Sequence, residues 1–252
     1  MNLKTPWPYP LWFAHRGAGK LAPENTLAAF RLGAAHGYRA FECDVKLSAD
    51  GVPFLLPAST LQRPPSDTGL AGEKSWAELS HLDAGGWHSR AYVGEPPSSL
   101  AAIAAFCRAN GYELDLEIKP TPGREAETGS VVALEVARLW AGAAVPPLLS
   151  SFRPDALQAA RTAVATLPRA LLLDTLRAGW FDEARALECA AVVTAYPLMD
   201  AKVIAQLHGA GMRAMVYTVN DPAEVQRIVA LGIDGIVTDA VDRFSPAVHG
   251  LA

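Results

Sequence analysis

Cysteine is scarce in this chain. The three residues Cys43, Cys107 and Cys189 are widely spaced, odd in number and without a metal-type spacing, which excludes a disulfide frame and a thiolate zinc site. Buried thiols in a reducing compartment fit better, so a cytoplasmic location is expected. Long apolar runs are also missing: alanine-rich stretches are broken by Arg, Glu, Pro or Gly before they approach the ~20 residues that cross a bilayer. A soluble chain with no stable membrane association is expected. The first ten residues hold one lysine, no long apolar run and no small-residue cleavage site. They do not read as a secretory signal, and the mature chain is expected to begin where the sequence does. Positive charge is in deficit, with 22 Lys and Arg against 26 Asp and Glu, a net charge of −4. No bulk field attracts polyanions, which argues against a nucleic-acid partner; any anion must be held locally.

What is present suits one sizeable α/β core. The chain has 252 residues, half of them hydrophobic, and residues 1–252 are read as a single domain. Short apolar segments alternate with alanine-rich helical patterns, as in repeated βα units around a parallel sheet. Strands are expected at Leu11–His15, Ala40–Leu47, Glu113–Ile118, Pro147–Ser151, Arg169–Leu173, Ala191–Ala195, Arg213–Val219 and Gly235–Asp239. Helical patterns lie between them, opened by Pro154-Asp155 and Asp221-Pro222 and closed by His36-Gly37, Asn110-Gly111 and His208-Gly209. Eight strands with seven intervening helices point to an α/β fold, a closed (β/α)₈ TIM barrel, with an open doubly wound sheet as the alternative. A Pro-, Gly- and Ser-rich insertion after the second strand, residues 59–99, is too long for an ordinary connection and reads as a loop or lid over one end of the barrel.

The chemistry begins with an inversion of the usual pattern. In Ala40–Leu47 the period-two rule puts Glu42, Asp44 and Lys46 on one face and Phe41, Cys43, Val45 and Leu47 on the other. The apolar face must meet the helices, so the charges point into the lumen, tolerable only near the open mouth or when neutralised. Asp115, Glu117 and Lys119 repeat this on the third strand. Glu42, Asp44 and Glu117 would then converge, and a hard divalent cation is the natural neutraliser of three carboxylates. Lys119, and Arg16 from the end of the first strand, could grip a phosphate. A structural salt-bridge cluster is the alternative. His15 ends the first strand beside them and suits general acid or base work. His36 and His208 read as helix-terminal groups, His249 as part of a tail, and only His81 and His88 in the long loop could reach the site from outside the strands.

An ordered set of motifs resembles the glycerophosphodiester phosphodiesterase family along nearly the whole chain. The set comprises His15-Arg16-Gly17, Pro23-Glu24-Asn25-Thr26, Glu42-x-Asp44, Asp50-Gly51-Val52-Pro53, Thr60-Leu61-x-Arg63, Glu117-Ile118-Lys119, Ser150-Ser151-Phe152, Thr218-Val219-Asn220 and Gly235-Ile236-Val237-Thr238-Asp239. The resemblance implies a barrel in which Glu42, Asp44 and Glu117 bind Mg²⁺ or Ca²⁺, Arg16 and Lys119 meet the phosphate, and Tyr217 keeps the pocket wall aromatic. It further implies cleavage of small-molecule glycerophosphodiesters to glycerol 3-phosphate and an alcohol, assisted by two histidines.

The second histidine is where the chain departs from the family. Pro57-Ala58 stands where the pattern has His-Asp, between motifs that keep their places. If Asp50-Gly51 is a two-residue turn, residue 57 lies across from Asp44, beside the metal. Proline can neither protonate a leaving alkoxide nor donate from its backbone, and losing a positioned acid costs ~10²–10⁴ in rate. His81, His88 or metal-bound water would have to substitute. Two further readings stay open: a degenerate barrel that binds phosphodiesters without turnover, and another barrel metalloenzyme acting on phosphorylated or phospholipid-derived substrates.

Overall fold

Period-two alternation and short apolar runs make nine strands in the structure, a computed structural model that describes residues 7–56, 70–244 and 246. They are β1 (Trp12–Ala14), β2 (Ala40–Leu47), β3 (Pro53–Leu55), β4 (Glu113–Ile118), β5 (Leu148–Ser151), β6 (Arg169–Leu173), β7 (Ala191–Ala195), β8 (Arg213–Tyr217) and β9 (Gly235–Thr238). The helices are α1 (Leu27–Ala35), α2 (Leu70–Glu73), α3 (Trp76–Leu79), α4 (Leu100–Asn110), α5 (Glu125–Leu139), α6 (Pro154–Ala163), α7 (Trp180–Ala186), α8 (Ala201–Gly209) and α9 (Pro222–Ala230). Pairing runs β1-β9-β8-β7-β6-β5-β4-β2-β3, and an additional β1–β2 pairing closes the ring. That closure excludes the open sheet: the fold is a (β/α)₈ TIM barrel with β3 as an antiparallel addition to β2. Among the described residues no helix is long and apolar enough to cross a membrane.

Helix ends follow the local chemistry with one exception. Asp221 caps α9 through the Ala223 and Glu224 amides, and Pro154 occupies the first turn of α6. The helix α8 runs through Gly209 and stops at Ala210, rather than closing at His208-Gly209. The insertion is not structureless, since it contains α2, α3 and a 3₁₀ turn at Arg90–Tyr92. Four-residue helices are too short to show a periodicity.

A hairpin joins β2 to β3, and its register differs from expectation. Val45, Lys46 and Leu47 pair with Leu55, Phe54 and Pro53. The Ser48 amide donates to Val52 O at 3.1 Å, so the loop has three residues, Ala49-Asp50-Gly51, with Gly51 at φ 80°. A left-handed glycine ending such a loop adds the extra residue. Leu56, not residue 57, therefore faces Asp44, and its amide donates to Asp44 O at 3.0 Å. Pro57, Ala58 and residues 59–69 lie outside the described residues.

Two apolar layers sit on either side of the strands. Phe41, Cys43, Val45 and Leu47, with Leu114, Leu116 and Ile118, pack outward against the helices as the alternation requires. Phe13, Leu148, Leu172, Val193, Met215 and Val237 belong to a second cluster that fills the lumen, joined by Tyr9, whose hydroxyl donates to Pro146 O at 2.7 Å. Along β2 the lumen-facing charges Glu42, Asp44 and Lys46 follow Ala40, a member of this plug. All three cysteines are free and buried.

Helix α1 holds the turn after β1 by close approach. A Cβ on Gly33 would lie 2.0 Å from Gly17 O and 2.9 Å from the Phe41 ring. Intrinsic propensity favours Ala over Gly by about 1 kcal/mol in a helix, but here the clash falls on backbone. The Gly33→Ala variant should therefore lose about 1–3 kcal/mol of stability by denaturant titration; a gain of the size propensity promises would contradict this packing.

Candidate active site

The register of two neighbouring strands assembles the acidic residues. Glu42 pairs with Asp115 and Asp44 with Glu117 in the parallel β2–β4 ladder, so all four side chains share the lumen face. One carboxylate oxygen from each of Glu42, Asp44 and Glu117 lies within 4.8 Å of the others, and all three residues are buried. Asp115 was not singled out as a ligand and is held apart from them. It sits one layer lower, where Ser150 Oγ donates to it at 2.6 Å.

Cations and an amide neutralise Asp44. Lys119 Nζ lies 2.7 Å from Asp44 Oδ1 and 3.5 Å from Glu117, and Arg16 Nε lies 3.0 Å from Asp44 Oδ2. Asn25 closes the remaining side: its Nδ2 donates to Asp44 Oδ2 at 3.0 Å and to Leu56 O at 2.9 Å, while its Oδ1 accepts from the Asp44 amide at 3.1 Å. Arg16 also donates to Glu24 at 2.8 Å. Arg16 and Asn25 adopt φ 51° and 60°; strained backbone of this kind persists where the surroundings over-determine it.

Burial and repulsion divide the carboxylates. Burial, then the neighbouring acids, outweigh the His15 charge and push Glu42 up to about 8. Burial and Asp44 push Glu117 up to about 8 in the same way, and burial pushes Asp115 up to about 7. Burial would raise Asp44 too, but the Lys119 and Arg16 charges, with hydrogen bonds from Lys119 and Asn25, hold it well below the usual carboxylate range. Lys46 on the same strand face is buried and pushed down to about 8 by that burial and by Lys119 and Arg124.

His15 is oriented from behind. Its Nδ1 is 2.6 Å from Asp239 Oδ1, and its Nε2 turns toward Glu42 at 3.6 Å. Asn220 Nδ2 donates to Asp239 Oδ2 at 3.0 Å, and Asn220 Oδ1 accepts from the Asp239 amide at 2.9 Å. Burial alone would lower the imidazole pKa, yet the Asp239 hydrogen bond and the Glu42 charge outweigh it and raise the pKa above its ordinary value.

A cavity of about 200 Å³ opens between two unlike walls. His15, Arg16, Glu42, Glu117 and Lys119 form the charged wall; Phe152, Leu172, Val193, Tyr217 and Val237 form the apolar one. Tyr217 meets Phe152 edge to face at 5.8 Å and donates to Leu173 O at 3.2 Å. Asp44 does not line the cavity, because Arg16 and Lys119 cover its oxygens. His81 and His88 are not brought there either. His81 is exposed, and His88 Nε2 pairs with Lys20 O at 2.9 Å.

The site thus gathers His15, Arg16, Glu42, Asp44, Glu117, Lys119 and Tyr217, while Pro57 lies outside the described residues. Alternation and motif chemistry alone assign no role to Asn25, Asp115, Asn220 or Asp239. For three of them the signal was present, since Asn25, Asn220 and Asp239 stand inside motifs of the ordered set.

Known proteins share this arrangement of chain. The glycerophosphoryl diester phosphodiesterase family matches residues 15–243. The chain belongs to that family. Members of the family are phosphoric diester hydrolases. A solved Oleispira antarctica phosphodiesterase, in complex with the product sn-glycerol-3-phosphate, superposes with a TM-score of 0.84 at 29% identity, covering 95% of this chain and 96% of that one. YhdW of Bacillus subtilis is 28% identical over 240 residues, 91% of this chain and 94% of its own. A glycerophosphodiester phosphodiesterase of Caldanaerobacter subterraneus is 25% identical over 233 residues, 91% of this chain and 93% of that one. Within this family fold, the buried acidic group of β2 and β4 offers the oxygen donors that a divalent cation requires.

The raised acids link this site to pH. Glu42 and Glu117 titrate near 8 when folded, against 4.5 as ordinary glutamates. The folded chain therefore binds more protons between those values, and its stability without added cations falls as pH rises from about 5 to about 8. A divalent cation held there would bind the deprotonated pair, so its stabilisation should grow over the same range. At one fixed cation concentration, a hundredfold above its Kd at pH 8, the melting temperature should rise by roughly 5–10 °C at pH 8 and by less at pH 6. An equal or larger rise at pH 6 would contradict the site.

Proposed function

We propose that the chain is a metal-dependent glycerophosphodiester phosphodiesterase, releasing glycerol 3-phosphate and an alcohol with Mg²⁺ or Ca²⁺ held by Glu42, Asp44 and Glu117. One observation carries this reading: the three convergent carboxylates lie beside the His15 ring that Asp239 aligns. When bound, the cation acidifies an attacking hydroxyl and stabilises charge on phosphoryl oxygens. Arg16 and Lys119, both on the cavity wall, bind the phosphodiester anion. With Nδ1 committed to Asp239, His15 presents Nε2 to the substrate and moves the proton there. The apolar wall, Tyr217 included, excludes water from the opposite side. The buried thiols suit a reducing, cytoplasmic setting, and the proposed reaction would belong to lipid and glycerol metabolism.

A second reading has its own support. By the motif resemblance Pro57 stands where the family's second histidine is expected, and neither His81 nor His88 lines the cavity. A barrel that binds phosphodiesters without turning them over follows if nothing else supplies the second proton.

Following glycerol 3-phosphate release from glycerophosphocholine under Mg²⁺ or Ca²⁺ separates the two readings. The parent should be slow, His15→Gln slower by a further ~10²–10⁴, and the Pro57→His/Ala58→Asp variant faster than the parent by a similar factor. Parent activity equal to that of the restored variant would remove the importance of position 57. A parent that binds glycerophosphocholine but releases nothing, even from an aryl phosphodiester, would establish the binding barrel instead.

A further inference from the structure

Both carboxylate oxygens of Asp44 are engaged. Oδ1 accepts from Lys119 Nζ at 2.7 Å, while Oδ2 faces Arg16 Nε and accepts from Asn25 Nδ2, each at 3.0 Å. Lys119 Nζ also lies 3.5 Å from Glu117 Oε1, so its ammonium bridges two of the three acids that converge here. It stands where a divalent ion shared by those two oxygens would have to lie. Two cations held by the same pair of buried oxygens repel strongly. Ion and ammonium therefore exclude each other.

The three partners of Asp44 are not equally fixed. Asn25 is locked by two further bonds, donating to Leu56 O and accepting from the Asp44 amide. Arg16 is anchored by Glu24 at 2.8 Å, and its backbone amide donates to Glu42 Oε2 at 3.2 Å. Among the described residues the Lys119 ammonium is held by Asp44 and Glu117 alone. Its side chain is 33% exposed, against 19% for Arg16, and both line the cavity. A flexible four-carbon stem lets an ammonium reorient without moving its strand. Lys119 is thus the partner that can leave, and the space it can turn into is the cavity that Arg16 also lines.

We propose that Lys119 is an exchangeable counter-ion: a divalent cation takes its place on Asp44 Oδ1 and Glu117, and the freed ammonium turns into the cavity to hold phosphoryl oxygens. Cation and phosphate then bind with positive coupling through this one side chain, each favouring the position of Lys119 that admits the other. This rests on the proposed function for what the two ligands are, but it is measured by binding alone. Ca²⁺ is titrated by calorimetry at about pH 9, above the range in which Glu42 and Glu117 titrate. The full chain is compared with Lys119→Met and Lys46→Met variants, each checked for folding by its melting temperature. Lys46→Met is the control: it removes the same charge from the lumen face of β2, where the charged neighbours of Lys46 are Lys119 and Arg124. Lys119→Met should bind Ca²⁺ tighter by roughly tenfold or more, and Lys46→Met should change the affinity far less. Glycerol 3-phosphate should bind the parent more tightly with Ca²⁺ than without it, and that gain should shrink in Lys119→Met. Equal tightening in both variants would reduce Lys119 to a field effect and overturn the exchange, as would unchanged or weaker Ca²⁺ binding in Lys119→Met. Parent crystals grown with Mn²⁺ and with a chelator give the answer without a variant. Lys119 Nζ should lie within hydrogen-bond reach of Asp44 Oδ1 only under chelator; Nζ still on Oδ1 beside bound Mn²⁺ would refute the exchange. Failure of the parent and both variants to bind Ca²⁺ would remove the metal site and the exchange together. The expected binding without hydrolysis of glycerophosphocholine would keep the exchange and remove the phosphodiesterase reading.

Discussion

Carboxylates gathered in a buried space repel one another unless cations come among them, and the mouth of this barrel is organised by that constraint. Glu42 and Asp44 on β2 and Asp115 and Glu117 on β4 face the lumen because the opposite faces of both strands are committed to the helices. Each acid then meets a different solution. Ser150 satisfies Asp115, Lys119 and Arg16 neutralise Asp44, and Glu42 and Glu117 are left with raised pKa values. The cationic neighbours of these two glutamates lie farther off than those of Asp44: Lys119 at 3.5 Å from Glu117 and His15 at 3.6 Å from Glu42. Under the metal reading, a divalent ion would meet the two glutamates in their deprotonated form.

The rest of the molecule supports that arrangement at long range. Closure of β1 against β2 and β9 brings His15 beside Glu42 and sets Asp239 behind it. The close packing of Gly33 on Gly17 fixes the turn that carries Arg16, and Asn25 reaches back from the start of α1 to brace Asp44. The apolar plug of Phe13, Leu148 and their neighbours fills the lumen beneath. The site therefore has one charged and one apolar side, which suits a phosphodiester that is anionic at its centre.

Much of this was legible in the sequence, and the reasons differ from element to element. Period-two alternation located β2 and β4 to the residue, and with it the lumen-facing charges. Local patterns could not show that His15 and Asp239, 224 residues apart, form a pair, nor that Asn25 spans Asp44 and Leu56. Those contacts exist only once the barrel closes, although the motifs containing these residues were visible. Asp50-Gly51 reads as a two-residue turn, but the left-handed Gly51 sits at the end of a three-residue loop, which moved the position facing Asp44 to Leu56. Asp115 obeys the same alternation as Glu117, and their different partners, the Ser150 hydroxyl for Asp115 and Lys119 for Glu117, appear only in the folded barrel.

Crystals of the full chain grown with Mn²⁺ and read by anomalous scattering test the central claim most directly. The account requires one peak bonded, at about 2.0–2.4 Å, to oxygens of Glu42, Asp44 and Glu117 together. No peak there, with Lys119 still lying across Asp44 and Glu117, would show that the acidic group is a salt-bridge cluster and not a metal centre.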